Sequence, residues 1–174
     1  MELGSFTYAI FMTTCGLFTI FNVISGRLFL SDAGAYGLGS MVALNGLFLF
    51  SAEVFSAAFL AVLFAYPCID ILVTVTRRWI KGRSILLPDN DHLHNRVHFH
   101  FQCWFRSKTL ANSMTGVLIV SCSSGLALLG YTEAWWSITS NKWAWLFLAQ
   151  FSMYLLAFVL TGFNRPSSQY VTNQ

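Results

Sequence analysis

Charged residues are scarce in this chain. Only 10% of its 174 residues are Asp, Glu, Lys or Arg, and 56% are hydrophobic, whereas about a quarter of an ordinary soluble domain is charged. The mean hydropathy is correspondingly high, at +0.60. So few charges cannot cover a whole surface that faces water. The composition therefore excludes an ordinary soluble domain and indicates a protein built into a membrane.

Cysteine is also scarce, and its spacing is uninformative. The four cysteines form no CxxC pair, so neither a disulfide framework nor a thiolate zinc site is indicated. The net charge of +3 would suggest nucleic-acid binding in a soluble protein. Here the cations are better explained as membrane-topology signals that face anionic headgroups. We therefore expect the lipid bilayer, and no nucleic acid, as a partner.

Long apolar runs dominate the sequence. A helix needs about 20 mostly apolar residues to cross the roughly 30 Å hydrocarbon core of a bilayer. Five runs approach that length, at about residues 6–24, 36–52, 54–75, 110–130 and 143–163. They predict an all-α fold, a polytopic transmembrane helical bundle of about five spans in one membrane domain, residues 1–174. No Lys or Arg precedes Arg27, so we expect the first run to be a true span and not a secretory signal.

Basic residues predict the orientation, because Lys and Arg accumulate in cytoplasmic loops. Nine of the ten lie on one side of the five predicted spans, and Lys142 alone lies on the other. This asymmetry predicts an outside amino terminus, a cytoplasmic carboxyl terminus and a long cytoplasmic loop over residues 76–109. In that loop, apolar residues recur at helical spacing from His92 onward, which predicts a short amphipathic helix on the membrane surface.

Two aspartates are candidate functional residues. Asp70 lies near the cytoplasmic end of the third run, after Pro67, which favours a kink. We expect it to face the bundle interior, either for function or paired with Arg77 or Arg78. Asp32 precedes the second run beside a Gly-rich turn. It is either a simple helix cap or a ligand of a magnesium ion that is itself bound to phosphate oxygens.

All four histidines lie within residues 92–100, in "HLHNRVHFH". Three interpretations remain open. The histidines could be solvated residues of an interfacial helix, or His94 and His98 could bind zinc from successive turns. They could also bind phosphate, together with nearby arginines. The basic residues of this third interpretation are Arg77, Arg78, Arg83 and Arg96. The mixture of Arg, Gly, Asp and His in one membrane-surface loop favours the third.

Two stretches resemble a known family. "FNVISGRLFLSDAGAYGLGSMVAL" and, further on, "PCIDILVTVTRRWIKGRSILLPDNDHLHNRV" are similar to the carboxyl-terminal half of the polyprenyl-phosphate N-acetylhexosamine-1-phosphate transferases. Members of that family typically carry a "FLGDAGS" motif before a span, then a proline and an aspartate in a kinked helix. A loop of the form "RRLLRGRSPFSPDRxHLHH" follows. The resemblance covers roughly residues 18 to 130.

This resemblance implies an activity at the bacterial inner membrane, on its cytoplasmic face. A sugar 1-phosphate would pass from a UDP-activated N-acetylated amino sugar to undecaprenyl phosphate, with release of UMP and with Mg²⁺ as cofactor. It implies that Asp32 is an active-site carboxylate close to the magnesium. Arg83, His92 and His94 would help to hold the nucleotide sugar, and Asn95, which replaces the second residue of a His pair, could donate a hydrogen bond.

The chain also departs from the family. Ser31 stands where Gly is usual and Ala35 where Ser is usual. Full-length members have about twice as many spans, and the adjacent Asp pair of their amino-terminal half has no counterpart here. We therefore expect a missing amino-terminal half or a homo-oligomer as partner. The alternatives are a non-catalytic membrane protein that retains a nucleotide-sugar-binding loop, and a His-rich metal-handling membrane protein.

Overall fold

The structure is a computed structural model that describes residues 2–26, 30–84 and 91–163, with side chains described between residues 9 and 162. Its described residues form helices and connecting turns, which agrees with the all-α prediction. The helices are α1 (Glu2–Ser25), α2 (Asp32–Ser51), α3 (Ala57–Leu63), α4 (Ala65–Ile80), α5 (Leu93–Trp104), α6 (Lys108–Val120), α7 (Leu126–Thr132) and α8 (Trp143–Phe163). A π-helical turn, Ser121–Gly125, joins α6 to α7. Residues 85–90 of the predicted cytoplasmic loop, like the cations Arg27 and Arg165, lie outside the described residues.

Three helical segments among the described residues are long and apolar enough to cross a membrane. They are Asp32–Ser51, Lys108–Thr132 and Trp143–Gly162. A shorter apolar stretch, Ala9–Ser25, forms most of α1. The second predicted run, 36–52, was therefore drawn too short, because its helix begins at Asp32 and has 20 residues. The protein has the helices of a membrane protein.

The third predicted run is not one straight helix. It is divided at Phe64 into α3 and α4, whose axes differ by 83°. Pro67 has no N–H to donate to the carbonyl of Leu63 four residues earlier. That carbonyl accepts a hydrogen bond from Ser124 Oγ at 2.8 Å, and the N–H of Tyr66 donates to Ser123 Oγ at 3.0 Å. Two serines of the π-helical turn thus stabilise the break.

Helix α4 ends in a Schellman motif at Gly82, whose φ of +61° suits glycine. The N–H of Gly82 donates to the Trp79 carbonyl and that of Arg83 to the Arg78 carbonyl, both at 3.0 Å. The chain then returns as α5, which confirms the predicted short helix after His92.

Two apolar clusters hold the bundle together. The first, Phe59, Val62, Ala127 and Trp143, joins α3, α7 and the start of α8. The second joins α4, α5 and α8, and consists of Ala65, Ile69, Leu93 and Tyr154. This second cluster packs α5 beside the polar residues of α4 and so positions the candidate site.

Candidate active site at the α4–α5 surface

Asp70 is the centre of a polar network between α4, α5 and α8. The residue is buried, with a relative exposure of 7%. One carboxylate oxygen, Oδ2, lies 2.6 Å from Nδ1 of His92. The other, Oδ1, accepts from the Tyr154 hydroxyl at 2.5 Å and, more weakly, from the backbone N–H of Leu93 at 3.4 Å. Because Leu93 is the first residue of α5, the carboxylate also lies at the positive end of that helix.

The expectation that Asp70 faces the bundle interior is confirmed. The interpretation that it pairs with Arg77 or Arg78 is wrong. The reason is tertiary, because α5 packs back across α4 and brings His92 to Asp70. Arg77, about two turns further along α4, instead bonds to Asp91, with 2.6 Å between Nη1 and Oδ2.

Asp70 fixes the orientation and the proton position of His92. An ionised carboxylate can only accept hydrogen bonds, so the neutral His92 ring carries its proton on Nδ1. The lone pair of Nε2 is then the basic position of this ring. The His92 side chain is 26% exposed, so a substrate at the surface can reach it. A carboxylate that orients a histidine in this way is a recurring arrangement at sites that bind metals or move protons.

The hydrogen bonds of His94 favour the tautomer opposite to that of His92. Its backbone N–H donates to the Tyr66 hydroxyl at 3.2 Å, and that hydroxyl lies 2.9 Å from Nδ1 of His94. We assign the hydroxyl as the donor to Nδ1, because it already accepts from the backbone N–H, and this assignment leaves the proton of the neutral ring on Nε2. Partial burial is the main cause that lowers the pKa of His94, and the neighbouring His92 lowers it further. His94 is thus kept neutral near pH 7.

The two rings are stacked, with centroids 5.5 Å apart and planes inclined by only 11°. His92 offers an acceptor at Nε2, and His94 offers a donor at Nε2. This pair can hold a group that both donates and accepts, such as a hydroxyl or a singly protonated phosphate, and His92 can take up a proton from it. We call His92, His94, Asp70, Tyr66 and Tyr154 the histidine-pair site.

A cationic cluster lies beside the histidine-pair site. Asp91 accepts hydrogen bonds from Arg77 at 2.6 Å and from two nitrogens of Arg96, both at 2.8 Å. Arg96 is buried, donates to the Phe158 carbonyl at 2.6 Å and lies 3.6 Å above the Phe158 ring. Among these three side chains, two guanidinium groups face one carboxylate. Arg96 also fastens α5 to α8.

The other predicted site residues occupy different positions. Arg78 is buried on α4, Asn95 is half-buried on α5, and Arg83 is exposed just after Gly82. Of the predicted substrate-binding residues, the described hydrogen bonds place Arg77, His92 and His94 where α4 and α5 meet. Asp32 stands apart. It is exposed in the first turn of α2, a helix with no buried residue, and no hydrogen bond joins it to the described residues of α4 or α5.

The described residues do not supply a complete metal site. No three His, Cys, Asp or Glu side chains within residues 9–26, 30–84 and 91–162 are grouped so that they could hold a metal ion. His94 and His98, the pair considered for zinc, have separate partners, because Nε2 of His98 lies 2.8 Å from the amide of Gln102. Asp32 is a single carboxylate at the positive end of a helix, which does not form a magnesium site alone.

Sequence reasoning missed Tyr66, Tyr154 and Asp91. Tyr154 lies in an apolar run that hydropathy alone had identified, and it follows Gln150 by four residues. Both side chains are buried. Polar residues one turn apart in a transmembrane run usually face the bundle interior, so this spacing was a usable signal. Asp91 had no comparable signal, since its partner Arg77 is 14 residues away.

Comparison of the chain with protein-family models, with curated proteins and with solved structures gave no match. The resemblance to the transferases therefore depends on the two sequence stretches given above.

Proposed function

We propose that the histidine-pair site binds the phosphate of a nucleotide sugar at the surface of a membrane. The observation that carries this proposal is the stacked pair of His92 and His94, whose Nδ1 atoms bond to Asp70 and Tyr66, so that both rings direct Nε2 away from these partners. The basic residues at the end of α4 and on α5 favour an anionic ligand. A carboxylate within a membrane segment is costly and usually functional, which supports a role for Asp70 beyond packing.

The reaction proposed for the site follows the sequence resemblance. An oxygen of undecaprenyl phosphate would attack the β-phosphorus of a UDP-N-acetylhexosamine. The bond from that phosphorus to the bridging oxygen would break, and UMP would leave with that oxygen. Phosphoryl transfer depends mainly on positioning and on charge neutralisation. In this chain, His94 would donate to the pyrophosphate from Nε2, and His92 would do so once it is protonated at Nε2, while Arg77 and Arg83 would offset the charge of the pyrophosphate.

Magnesium belongs to the proposal through Asp32 alone. The carboxylates of Asp70 and Asp91 are paired with His92, Arg77 and Arg96, so the remaining ligands would have to come from substrate phosphates and from another chain or segment. No step is therefore assigned to the metal. This incomplete set of magnesium ligands is consistent with the proposal that the chain works with a missing amino-terminal half or with a second copy.

The proposed location is the inner membrane of a bacterium, with five spans, the amino terminus outside and the histidine-pair site on the cytoplasmic face. A UDP-sugar is a cytoplasmic metabolite and undecaprenyl phosphate lies in the bilayer. A site at the cytoplasmic surface can reach both. The excess of Lys and Arg in the loops on that side supports this orientation.

The second candidate is a non-catalytic protein that binds the nucleotide sugar without transferring it. The lack of a metal-holding group among the described residues favours it. The two candidates share the same binding site. They differ in whether turnover appears once the missing half is supplied.

Binding of UDP-N-acetylglucosamine to the protein in lipid nanodiscs tests the shared claim. The informative variant is His92→Asn, because an Asn amide can replace Nδ1 as donor to Asp70 but removes Nε2. We expect about tenfold weaker binding, equal to the loss of one hydrogen bond to a charged group. The matched control is His100→Asn on the same helix, which should bind like the wild type. No binding by the wild type, or equal losses in both variants, would contradict the proposal.

Asp32→Asn separates catalysis from binding. In membranes that also contain the amino-terminal half of a family member, the transferase proposal predicts UMP release by the wild type and none by Asp32→Asn. Membrane insertion of the variant should be unchanged. Unaltered turnover in Asp32→Asn would exclude the assigned role of Asp32. Binding without turnover in either protein would favour the second candidate.

A further inference from the structure

Two exposed tryptophans lie at the ends of helices, and basic residues follow each of them. Trp79 lies in the last turn of α4 and is 76% exposed, and Trp104 is the last residue of α5 and is 82% exposed. The cations that follow are all exposed, and they are Lys81 after the first tryptophan and Arg106 and Lys108 after the second. We call residues 79–81 and residues 104–108 the two tryptophan–cation surfaces.

Both surfaces lie at the same end of the bundle. A candidate span begins at Lys108, and the span formed by α8 ends at Gly162. These two spans are antiparallel neighbours joined by a short turn, so Lys108 and Gly162 lie at one end. Arg77, two residues before Trp79, lies 5.7 Å from the centroid of the Phe158 ring, one turn of α8 before Gly162. Since the ends of spans meet the lipid headgroups, both surfaces lie at headgroup level.

An exposed indole ring and an exposed cation suit successive layers of a membrane surface. The ring of a tryptophan settles where acyl chains meet headgroups, because its body is apolar and its N–H is polar. Lys and Arg side chains extend past that boundary and place their charge among the lipid phosphates. Ile80, beside Trp79, is 75% exposed and adds apolar area to the first surface. Such area is covered by lipid more favourably than by water.

The charge of the two surfaces selects the kind of lipid. The ion pairs within residues 30–84 and 91–162 involve other side chains, so Lys81, Arg106 and Lys108 are not paired with a carboxylate of this part of the chain. Three such cations at headgroup level attract a lipid that carries a net negative charge more strongly than a zwitterionic one.

We propose that the two tryptophan–cation surfaces bind anionic phospholipids of the leaflet predicted to be cytoplasmic. Each ring packs at the glycerol level of the lipid, and the cations beside it pair with the headgroup phosphate. The ligand is a lipid and not a soluble phosphate, because the exposed rings need an apolar neighbour. The proposal is independent of the nucleotide sugar, since the proposed function uses none of these residues.

Thermal unfolding of the full chain in neutral detergent micelles tests this proposal. Phosphatidylglycerol and phosphatidylcholine with the same acyl chains are each added over a range of mole fractions. Phosphatidylglycerol should raise the unfolding temperature saturably, because a ligand that binds only the folded state stabilises it. Its half-saturation should require at least about five times less lipid than that of phosphatidylcholine, the worth of one cation near an anionic surface. Equal half-saturation by the two lipids would overturn the proposal.

Soluble glycerol 3-phosphate separates a lipid site from a phosphate site. It carries the phosphate of the lipid without acyl chains, so it should leave the unfolding temperature unchanged at the total concentration at which phosphatidylglycerol saturates. A rise equal to that caused by the lipid would show that the surfaces bind free phosphate, and would overturn the proposal.

Substitution of the cations locates the effect. The triple variant Lys81→Gln, Arg106→Gln and Lys108→Gln should bind the two lipids equally, because the charge that distinguishes them is removed. The matched control is Lys142→Gln, an exposed cation on the side predicted to be outside, which should keep the preference for phosphatidylglycerol. A triple variant that keeps the preference, or a Lys142→Gln variant that loses it, would overturn the proposal. The comparison of lipids on the wild type needs no variant to fold.

Discussion

At the scale of single residues, Asp70 connects the membrane bundle to the surface site. Its two oxygens accept from three donors that belong to α5 and α8. A buried carboxylate is tolerable only when such donors replace its water shell. The same bonds set the proton position of His92. The fold and the chemistry of the site therefore depend on one side chain.

Tyr154→Phe tests whether the stability of the fold depends on the hydrogen bonds of Asp70. The substitution removes the shortest hydrogen bond to Oδ1 of Asp70 and leaves that oxygen with the longer bond from Leu93. We expect the free energy of unfolding to fall by about 1–3 kcal/mol, the cost of an under-satisfied buried acceptor. Tyr131→Phe, at an exposed tyrosine on α7, should change it little. Unfolding by sodium dodecyl sulfate titration measures both, and equal effects would argue against the network.

The lowered pKa of His94 predicts a pH dependence of stability. The unfolded chain binds a proton at His94 near its ordinary pKa of about 6.5, whereas the folded chain binds it only at lower pH. The contribution of His94 to the free energy of unfolding is therefore complete above the ordinary pKa. It is lost as the pH falls below that value and through the lower pKa that His94 has in the folded chain. Thermal unfolding between pH 8 and pH 5 should show this loss.

His94→Gln is the variant for this prediction, because an amide can still bond to Tyr66 but does not titrate. Its unfolding temperature should fall less between pH 8 and pH 5 than that of the wild type. Asp70, His92 and His98 also influence His94, so the difference between the two proteins is the informative quantity. Identical pH profiles would show that His94 is not held neutral.

At the scale of helices, the break between α3 and α4 shows what the sequence could predict. Pro67 correctly predicted a bend, and the spacing of apolar residues after His92 correctly predicted α5. The 83° angle was not predictable. It depends on Ser123 and Ser124, about 60 residues away in the chain, which satisfy the backbone groups that the break exposes. The partner of Asp70 was missed for the same reason, since a local pattern cannot show how α5 packs across α4.

Gly130 on α7 provides a test of helix packing. A Cβ atom at this position would lie 2.7 Å from the Trp135 ring and 2.8 Å from the Trp143 ring. Trp143 is fully buried, so it cannot easily move away. Gly130→Ala should lower the free energy of unfolding by about 1–3 kcal/mol, as overpacking does.

The control is Gly116→Ala on α6, where a Cβ atom meets nothing within 4 Å. Alanine is the better helix former, so this variant should be as stable as the wild type or slightly more stable. Chemical or thermal unfolding of the two variants in the same detergent provides the comparison. If Gly130→Ala were as stable as Gly116→Ala, the tight contact of α7 with the two tryptophans would be disproved.

At the scale of the whole molecule, apolar surface and charge are distributed as in a membrane protein. The three candidate spans contain few buried residues, and α2 contains none. Lipid can cover such a helix, and so can the partner that the proposed function requires. The asymmetry of Lys and Arg predicts which side of the membrane the histidine-pair site faces.

Cysteine labelling in intact cells tests this orientation. Cys103 is exposed on α5, on the side predicted to be cytoplasmic. Asn141, exposed before α8, lies on the side predicted to be outside. With the other cysteines replaced, a membrane-impermeant maleimide should label Asn141→Cys in intact cells but should label Cys103 only after permeabilisation. The reverse pattern would place the site outside and exclude a cytoplasmic nucleotide sugar as its ligand.

The central claim is that the α4–α5 surface binds a nucleotide sugar through the histidine pair. Photoaffinity labelling with an azido-uridine analogue of UDP-N-acetylglucosamine, followed by peptide mapping, tests this claim most directly. We expect labelling within residues 77–83 and 91–98, and we expect excess unlabelled UDP-N-acetylglucosamine to suppress it. Labelling elsewhere in the chain, or labelling that the unlabelled nucleotide sugar does not suppress, would show that the histidine pair does not bind the nucleotide sugar.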